Sequence, residues 1–308
     1  MYRLRTPCPK IDPDDLAPNR IHTEPASECL VSKPATTCHL CVISAFVVKW
    51  SSMLNFAIRV AQDAGRLLRD RLGTSFDINH KGVINIVTDV DLASEKLIRE
   101  AIATHYPRHQ VLAEEGGLAE SSSEYRWVVD PLDGTTNYAH GYPVFAVSIA
   151  LEYQGETVLG VVYDPMREEL FAAERGGGAV LNNRPIRVST TDTLIRSMLS
   201  TGFPYDIKTS SLTNLDHWAN FAMNAQALRR DGAASIDLCY IACGRYDGFW
   251  ELNLSPWDTA AGALIVTEAG GRVTDFNGNE FSNYKPEIIA SNGLIHERMI
   301  EVIARATK

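Results

Sequence analysis

The segment WVVDPLDGTTN at residues 127–137 constrains this chain more than any other stretch of its sequence. Its apolar start, Trp127–Val129, predicts a buried strand that delivers Asp130 and is stopped by Pro131. Asp133 follows in a turn, so both carboxylates can point at one place. The small polar residues after it are typical of a helix start, whose free N–H groups attract phosphate. Carboxylates that hold hard cations beside a phosphate-binding turn indicate metal-assisted phosphoryl chemistry.

The two aspartates also have an ordinary interpretation, since Asp-Pro and Asp-Gly are common turn dipeptides. The complete segment is more specific. It closely resembles the signature of the inositol monophosphatase family of Mg²⁺-dependent, lithium-sensitive phosphatases. Two further motifs of that family occur in the expected order: AEEG at 113–116, and SPWDTAAG at 255–262, which runs into EAGG at 268–271. The resemblance covers about residues 53 to 306.

Length and composition are those of an ordinary globular protein. The 308 residues suffice for one large domain or two. The longest apolar run, at 42–48, is far shorter than the ~18 to 20 residues that span a bilayer, so we expect no membrane segment. A net charge of −9 argues against a broad nucleic-acid surface. It would also repel an anionic substrate unless cations intervene at the site.

The six cysteines fall into two groups. Cys239 and Cys243 lie on the apolar face of a predicted helix and are interpreted as core thiols. Cys38 and Cys41 have a spacing found in zinc and disulfide sites, but no second pair accompanies them, so that role is disfavoured. A reduced, cytoplasmic setting fits this cysteine usage best.

Residues 1–52 differ from the rest of the chain. They are rich in Pro, Thr and Ser, show no useful periodicity, and lack the features of a standard signal peptide. An amphipathic helix is predicted to begin at Met53. We therefore expect 1–52 to be a disordered extension or an upstream start-site artefact. The remainder, 53–308, is expected to be the catalytic domain, with halves at about 53–190 and 191–308.

Hydrophobic periodicity predicts the elements of the domain. The predicted helices are 54–72, 93–105, 212–227, 233–243, 259–268 and 294–306. The predicted strands are 111–112, 127–129, 145–153, 158–163, 170–173, 198–201, 247–251, 273–274 and 288–290. This mixture indicates an α/β fold in packed layers, α+β in the first half and α/β in the second. The resemblance implies an αβαβα sandwich of the inositol monophosphatase and fructose-1,6-bisphosphatase type, with the metal site between the halves.

The resemblance implies a set of oxygen ligands for two or three Mg²⁺ ions. Asp130 would bridge two ions, Glu114 would bind the first, and Asp133 and Asp258 would complete the second. The backbone carbonyl of Leu132 would be a further ligand. Asp258 has the alternative role of a helix N-cap, and both roles are compatible because a capping carboxylate keeps free lone pairs.

The resemblance also assigns the catalytic group. Asp91 would pair with Thr135, whose hydroxyl orients and helps deprotonate the attacking water, and Glu114 is the third catalytic residue. The alternative role of Asp91 is a helix cap, because it precedes a predicted helix. Asp89 could be confused with it, but the Ala-Ser-Glu that follows favours Asp91. Lys81 matches a basic residue on the family's mobile loop, although the loop is one residue shorter here.

The implied substrate contacts divide between the phosphate and the alcohol. The N–H groups of Gly134 and Thr135 would bind phosphate, and the loop at 232–234 matches one that lines a sugar or inositol ring. Glu251 matches the acid that binds ring hydroxyls, with an ordinary strand-end carboxylate as its alternative. The complete set is Asp133, Gly134, Thr135, Gly232, Ala233, Ala234, Glu251 and Asp258.

The chain is therefore predicted to be a phosphoric monoester hydrolase. It would hydrolyse a polyol phosphate, first of all myo-inositol 1-phosphate, by direct attack of a metal-activated water. The alternatives are fructose-1,6-bisphosphatase and histidinol-phosphate phosphatase activity. Thr136 points away from the 3′-phosphoadenosine 5′-phosphate phosphatases, which typically have Lys there. A regulatory binding protein on the same fold is the other class, since some relatives bind partners such as the transcription machinery. A homodimer inhibited by lithium is expected, with no nucleic-acid or membrane partner.

Overall fold

The structure, a computed structural model, describes residues 39–75, 77–80, 86–118, 122–210 and 213–305, with the backbone alone at 39–50 and 80. The chain divides into two compact units, Met1–Cys41 and Val42–Lys308. The first unit contributes only the start of a helix to the described residues. The predictions for the side chains of Cys38, Cys41 and Lys81 lie outside them.

Helices and strands alternate along the second unit. The helices α1 to α7 are His39–Arg71, Asp89–His105, Thr135–Ala139, Leu215–Asn224, Ala234–Ala242, Pro256–Glu268 and His296–Ile303. The strands β1 to β15 are Ile78–His80, Ile86–Thr88, Gln110–Ala113, Gly117–Leu118, Tyr125–Asp133, Ala146–Tyr153, Glu156–Asp164, Glu169–Glu174, Gly178–Leu181, Arg184–Pro185, Met198–Thr201, Ala227–Arg229, Gly248–Leu252, Arg272–Thr274 and Glu287–Ser291. Across the described ranges, no helix combines the length and apolar character that a membrane crossing requires.

Two large sheets organise this unit. The first has eight strands in the order β10-β9-β8-β7-β6-β5-β3-β4 and is antiparallel except between β3 and β5. The second has five strands in the order β12-β11-β13-β15-β14, and β11 runs parallel to both of its neighbours. Strands β1 and β2 form a separate antiparallel pair.

Alternation along the strands sends side chains to opposite faces and so builds three cores. Trp127 and Val129 of β5 pack with α1 and α2 in the first core, whereas Val128 packs with α5 and α6 in the second. On β13, Phe249 joins the second core and Trp250 joins a third core with α4 and α7. The layers therefore follow the order αβαβα, which confirms the predicted fold.

Several predicted helices have the wrong boundaries; α2, for example, begins at Asp89 and not at residue 93, directly after its N-cap Thr88. Two other differences have a clear cause. The first helix begins at His39, not Met53. The residues between them contain neither Pro nor Gly, so nothing in the sequence interrupts the helix. The helix predicted at 212–227 is the shorter α4, because the chain leaves it to form β12, which pairs with β11 at the edge of the second sheet.

Candidate active site

The signature segment bends at a bulge in β5. The sequence predicted that this strand ends at Pro131, but the strand continues to Asp133. Asp130 pairs with Ser148 of β6 and Asp133 pairs with Ala146, so that β5 contains one extra residue between the two pairs. A bulge tolerates proline because the ladder is already interrupted there.

Two hydrogen bonds hold the bulge in shape. The hydroxyl of Ser94 on α2 donates to the carbonyl of Pro131 at 2.8 Å, and the N–H of Leu132 donates to Oδ1 of Asp130 at 3.0 Å. Asp130 and Asp133 are both buried, with exposures of 2% and 8%. The bulge thus takes the place of the predicted turn and fixes two buried carboxylates close in sequence.

Gly134 connects β5 to α3 with a backbone conformation that favours glycine. Its φ is +93°, and a Cβ at this position would lie 2.9 Å from the carbonyl oxygen of Val144. Thr135, the first residue of α3, donates its hydroxyl to Oδ1 of Asp91 at 2.9 Å and lies 3.1 Å from the carbonyl oxygen of Leu132. The structure therefore brings the predicted pair, Asp91 and Thr135, into a direct hydrogen bond.

Asp91 is not the helix cap considered as its alternative role, because α2 begins at Asp89 and its N-cap is Thr88. It is in the first turn of α2 and forms a capping box with Thr88, whose N–H donates to Oδ2 of Asp91 at 2.9 Å. Its Oδ1 remains for Thr135. Burial raises the pKa of Asp91 above its usual range, although hydrogen bonds from both threonines oppose the shift. Asp89 is partly exposed and pairs with Arg71 at 2.8 Å, so it takes no part in this arrangement.

Glu114 and Asp258 reach the site from other elements. Glu114 follows β3, and its loop is anchored because the next N–H in the chain donates to Oε2 of Glu95 at 2.8 Å. Asp258 lies in the first turn of α6, where its Oδ2 accepts from the N–H of Ser255 at 2.7 Å. Ser255 is the N-cap, so Asp258 is its capping-box partner rather than the cap itself.

The predicted metal ligands and substrate contacts meet in one cavity of about 300 Å³. Both large sheets contribute to its wall. Asp91 lies behind Thr135 and is connected to the cavity through it. The predicted residues that line the cavity are Glu114, Asp130, Leu132, Asp133, Gly134, Thr135, Gly232, Ala233, Ala234, Glu251 and Asp258.

The carboxylates of this cavity repel one another, which makes the ionised form of each less favourable. Burial raises the pKa of Asp130 well above its usual range, and the charges of Glu114, Asp133 and Asp258 raise it further. Burial also raises the pKa of Asp133 to about 6, against hydrogen bonds from Ser235. A bound cation would relieve this repulsion and stabilise the charged carboxylates.

The oxygen atoms of the cavity fit Mg²⁺. Four carboxylates and the carbonyl of Leu132 are hard donors, which this ion prefers. In the described part of the chain, no three Asp, Glu, His or Cys side chains already close around one point as a finished ligand set. Mg²⁺ keeps several of its waters, so a few carboxylates on the wall of a polar cavity suffice to hold it. The donor chemistry and the mutual repulsion of the acids both favour a cation here.

The loop at 232–234 is tied to the signature by side chains that the sequence analysis did not single out. Nδ2 of Asn137 donates to the carbonyl of Asp231 at 2.8 Å. Ser235 donates its N–H to Oδ2 of Asp133 at 2.8 Å. Asn137 belongs to the signature segment, and Ser235 directly follows the loop at 232–234. Their position next to predicted site residues was the signal that could have identified them.

Glu251 is a buried wall residue rather than an open strand-end carboxylate, with 8% exposure. Burial raises its pKa well above the usual range, Asp258 raises it further, and Arg230 opposes the shift. Gly202 leaves room for this side chain, because a Cβ there would lie 2.1 Å from Oε1 of Glu251. Arg230 also lines the cavity.

Two more cavity residues gave no signal in the sequence. Tyr205 lies on the loop after β11, and Asp237 lies in the first turn of α5. Tyr205 is 57% exposed and lies near the acids of the cavity, Asp258 first among them. Neither residue belongs to a recognisable motif, because only the folded chain brings them to the cavity.

The layered fold and the acid-lined cavity together are the arrangement expected of a metal-dependent phosphatase. The chain belongs to the inositol monophosphatase family, whose model matches residues 49–308. The Nus factor SuhB of Pseudomonas aeruginosa is 46% identical over 261 residues, which cover 82% of this chain and 95% of that relative.

Two further similarities come from a plant and from a cyanobacterium. The chloroplastic phosphatase IMPL1 of Arabidopsis thaliana is 42% identical over 255 residues, covering 80% of this chain and 69% of the plant protein. The solved inositol monophosphatase of Anabaena is 40% identical with a TM-score of 0.77, covering 83% of this chain and 97% of that structure. Family membership supports a phosphatase activity and a general dependence on metal ions.

Proposed function

We propose that this protein hydrolyses the phosphate monoester of a polyol in a Mg²⁺-dependent reaction, with myo-inositol 1-phosphate as the first candidate substrate. The observation that carries the proposal is the meeting of Glu114, Asp130, Asp133 and Asp258 in one cavity. Bound Mg²⁺ would supply positive charge for the phosphoryl oxygens and lower the pKa of a water. Asp130 and Glu114 would hold one ion, and Asp130, Asp133 and Asp258 would hold the other.

The Thr135–Asp91 pair would orient the attacking water. Because Asp91 accepts the hydroxyl hydrogen of Thr135, the hydroxyl oxygen keeps lone pairs that can accept a hydrogen bond from that water. The proton of the water would then pass toward this pair as the water attacks. The N–H groups of Gly134 and Thr135 would bind the phosphate oxygens, and the positive φ of Gly134 fixes their direction.

The leaving alcohol would contact Glu251 and the loop at 232–234. Both line the same cavity as the acids. Buried carboxyl and backbone groups of this kind select substrates that carry hydroxyls, because an analogue without them leaves the groups unpaired. This supports a polyol over an unsubstituted alkyl phosphate.

The proposal is tested by phosphate release with Mg²⁺ and then with EDTA. The panel holds myo-inositol 1-phosphate, fructose 1,6-bisphosphate, histidinol phosphate and 3′-phosphoadenosine 5′-phosphate. We expect the fastest release from myo-inositol 1-phosphate, its loss in EDTA, and inhibition by lithium through replacement of an ion on the Asp133–Asp258 side. A different leading substrate would overturn the choice of polyol, and no release from any would overturn the phosphatase proposal.

A second candidate function is regulatory binding. It is favoured by the 46% identity to a protein named Nus factor. The test is affinity purification from the native host with the wild type and with Asp130→Asn. A stoichiometric macromolecular partner recovered equally by both proteins would support the regulatory function, because that binding would not require turnover. Recovery of the chain alone would count against it.

The proposal also includes a cytoplasmic homodimer whose catalytic domain is 53–308. The family match at 49–308 supports that boundary. A protein shortened to begin at Met53 should keep the activity of the full chain, and loss of activity would show that the preceding residues are required. Light scattering during gel filtration would test the dimer, and a monomeric mass would exclude it.

A further inference from the structure

The two parts of the proposed substrate site come from different sheets. The phosphate-binding turn at Gly134 follows β5 of the eight-stranded sheet, and the loop at 232–234 follows β12 of the five-stranded sheet. In the described ranges no strand pairing joins these two sheets. The distance between the turn and the loop is therefore set by other contacts, and the hydrogen bonds of one side chain cross between them.

That side chain is Asn137 of α3. Its Nδ2 atom donates to the backbone carbonyl of Val144, just before β6, at 2.8 Å. It also donates to the carbonyl of Asp231, at the start of the loop, at 2.8 Å. An amide nitrogen carries two hydrogens, so these two bonds use both of them. The carbonyl oxygen of Gly232 lies 3.4 Å from the same nitrogen. One amide thus connects the first sheet to the loop of the second.

The carbonyls around Asn137 also enclose Gly134. A Cβ on Gly134 would lie 2.9 Å from the carbonyl oxygen of Val144 and 3.3 Å from that of Gly232. The phosphate-binding turn therefore packs directly against two of the carbonyls that contact the Asn137 amide. A shift of these carbonyls would change the position of the loop relative to the turn.

The far end of the loop is fastened to the same segment of the chain. The N–H of Ser235 donates to Oδ2 of Asp133 at 2.8 Å. Asp133 and Asn137 both belong to the signature segment, so side chains of this segment hold the loop at its two ends. The hydroxyl of Tyr246 donates to the side chain of Asp231, but this contact lies within the second half of the chain. Asn137 therefore relates the start of the loop to the phosphate-binding turn.

Asn137 lines the cavity, but backbone carbonyls already use both of its amide hydrogens. We infer that Asn137 is a positioning residue, whose amide sets the distance between the phosphate-binding turn and the loop that meets the leaving alcohol. The inference rests on the proposed function and adds the source of its selectivity. An ester with hydroxyls on its alcohol depends on the placement of the loop, whereas an ester without them does not.

The test measures the preference for the polyol ester, defined as kcat/KM for myo-inositol 1-phosphate divided by kcat/KM for 4-nitrophenyl phosphate, at neutral pH with saturating Mg²⁺. Both esters carry the same phosphate group, but only the first has hydroxyls on its alcohol. Asn137→Asp keeps the size of the side chain and, once ionised, has no hydrogen to donate. Asn137→Ala removes the donors without adding a charge.

Asn182→Asp is the matched control. The Nδ2 atom of Asn182 donates to the carbonyl of Glu168 at 3.0 Å, and neither residue lines the cavity. Its Oδ1 accepts from the N–H of Leu170 at 2.8 Å, and an aspartate would keep that bond. The control therefore breaks one amide–carbonyl bond of the same kind away from the site. Thermal melting and light scattering check the fold and the oligomeric state of each variant.

We expect both substitutions of Asn137 to lower the preference for the polyol ester about tenfold, through a higher KM for myo-inositol 1-phosphate. A higher KM with little change in kcat reports weaker binding, and the loop is proposed to meet the alcohol rather than the attacking water. Asn182→Asp should keep the wild-type preference.

Three outcomes would overturn this role of Asn137. An unchanged preference in both variants would show that other contacts hold the loop. A preference lost in only one of them would show that size or added charge, and not donation, is responsible. Equal losses of kcat on both esters would place Asn137 with the reacting groups. A wild-type protein inactive on both esters would instead overturn the proposed function, and with it the inference that rests on it.

Discussion

Burial raises the pKa of Asp130 well above its usual range, and the charges of Glu114, Asp133 and Asp258 raise it further. Replacement by asparagine keeps the shape and removes one of four repelling charges. We expect Asp130→Asn to lower kcat/KM at least about 10²- to 10³-fold, while melting in EDTA stays the same or rises. Asp89→Asn, at a partly exposed ion pair, is the matched control and should keep full activity. Near-normal turnover by Asp130→Asn would contradict its role as the bridging ligand.

Thr135 and Asp91 act as one unit if the proposed mechanism is correct. Their 2.9 Å hydrogen bond predicts that Thr135→Val and Asp91→Asn each lower kcat. The kcat of the double variant should be no lower than that of the less active single variant. Such non-additivity is expected of residues that share one function. The Thr104→Val control removes a hydroxyl bonded to the carbonyl of Glu100 elsewhere on α2 and should leave kcat unchanged. Strictly additive losses would show two independent roles.

At the scale of the element, the turn from β5 into α3 decides where the site residues point. Gly134→Ala would combine a positive φ with a Cβ 2.9 Å from the carbonyl oxygen of Val144. Gly141, at the other end of α3, has a φ of +69° with open space around it. We expect Gly141→Ala to be destabilised by about 1 kcal/mol with activity kept. Gly134→Ala should be destabilised further and lose activity.

Urea unfolding and kcat/KM measured on both glycine variants separate the effect of the positive φ from the effect of the contact between the new Cβ and Val144. The difference between them reports the collision at Gly134, because the unfavourable φ is common to both. Equal stabilities and equal activities would show that the close approach of α3 to Val144 does not shape the site.

The parts of the fold that could be predicted were those that depend on local sequence patterns. Alternation and periodicity located most strands and helices, and motif residues such as Glu114 and Asp258 do line one cavity. The bulge at Pro131 was missed because it depends on the register of β5 against β6. Asp237 gave no signal, since its surroundings, Asp231 and Glu251, meet it only in the folded chain.

At the scale of the whole molecule, the histidine expected to make the fold sensitive to acid lies in a different layer from the residues of the cavity. His296 on α7 is fully buried, with its ring nitrogens 2.8 Å from the hydroxyls of Thr274 and Ser291. Burial, and after it the charge of Arg272, lowers its pKa to about 4. An unfolded chain has its histidines at about 6.5. As the pH falls from about 6.5 to 4, the unfolded state therefore binds a proton that the folded state refuses, and stability decreases.

This difference predicts a pH dependence that one substitution should reduce. The His296 contribution is fully present above about pH 6.5, and its loss in strong acid amounts to about 3 kcal/mol at most. His296→Gln should be less stable than the wild type at pH 7, because packing and two hydrogen bonds change, but its stability should fall less between pH 7 and pH 4. Urea unfolding at several pH values measures both slopes. His140→Gln, at an exposed histidine after α3, should retain the wild-type slope. If His296→Gln also retained it, the loss of stability in acid would have to arise from another group, because buried carboxyl groups with raised pKa values stabilise the fold as the pH falls.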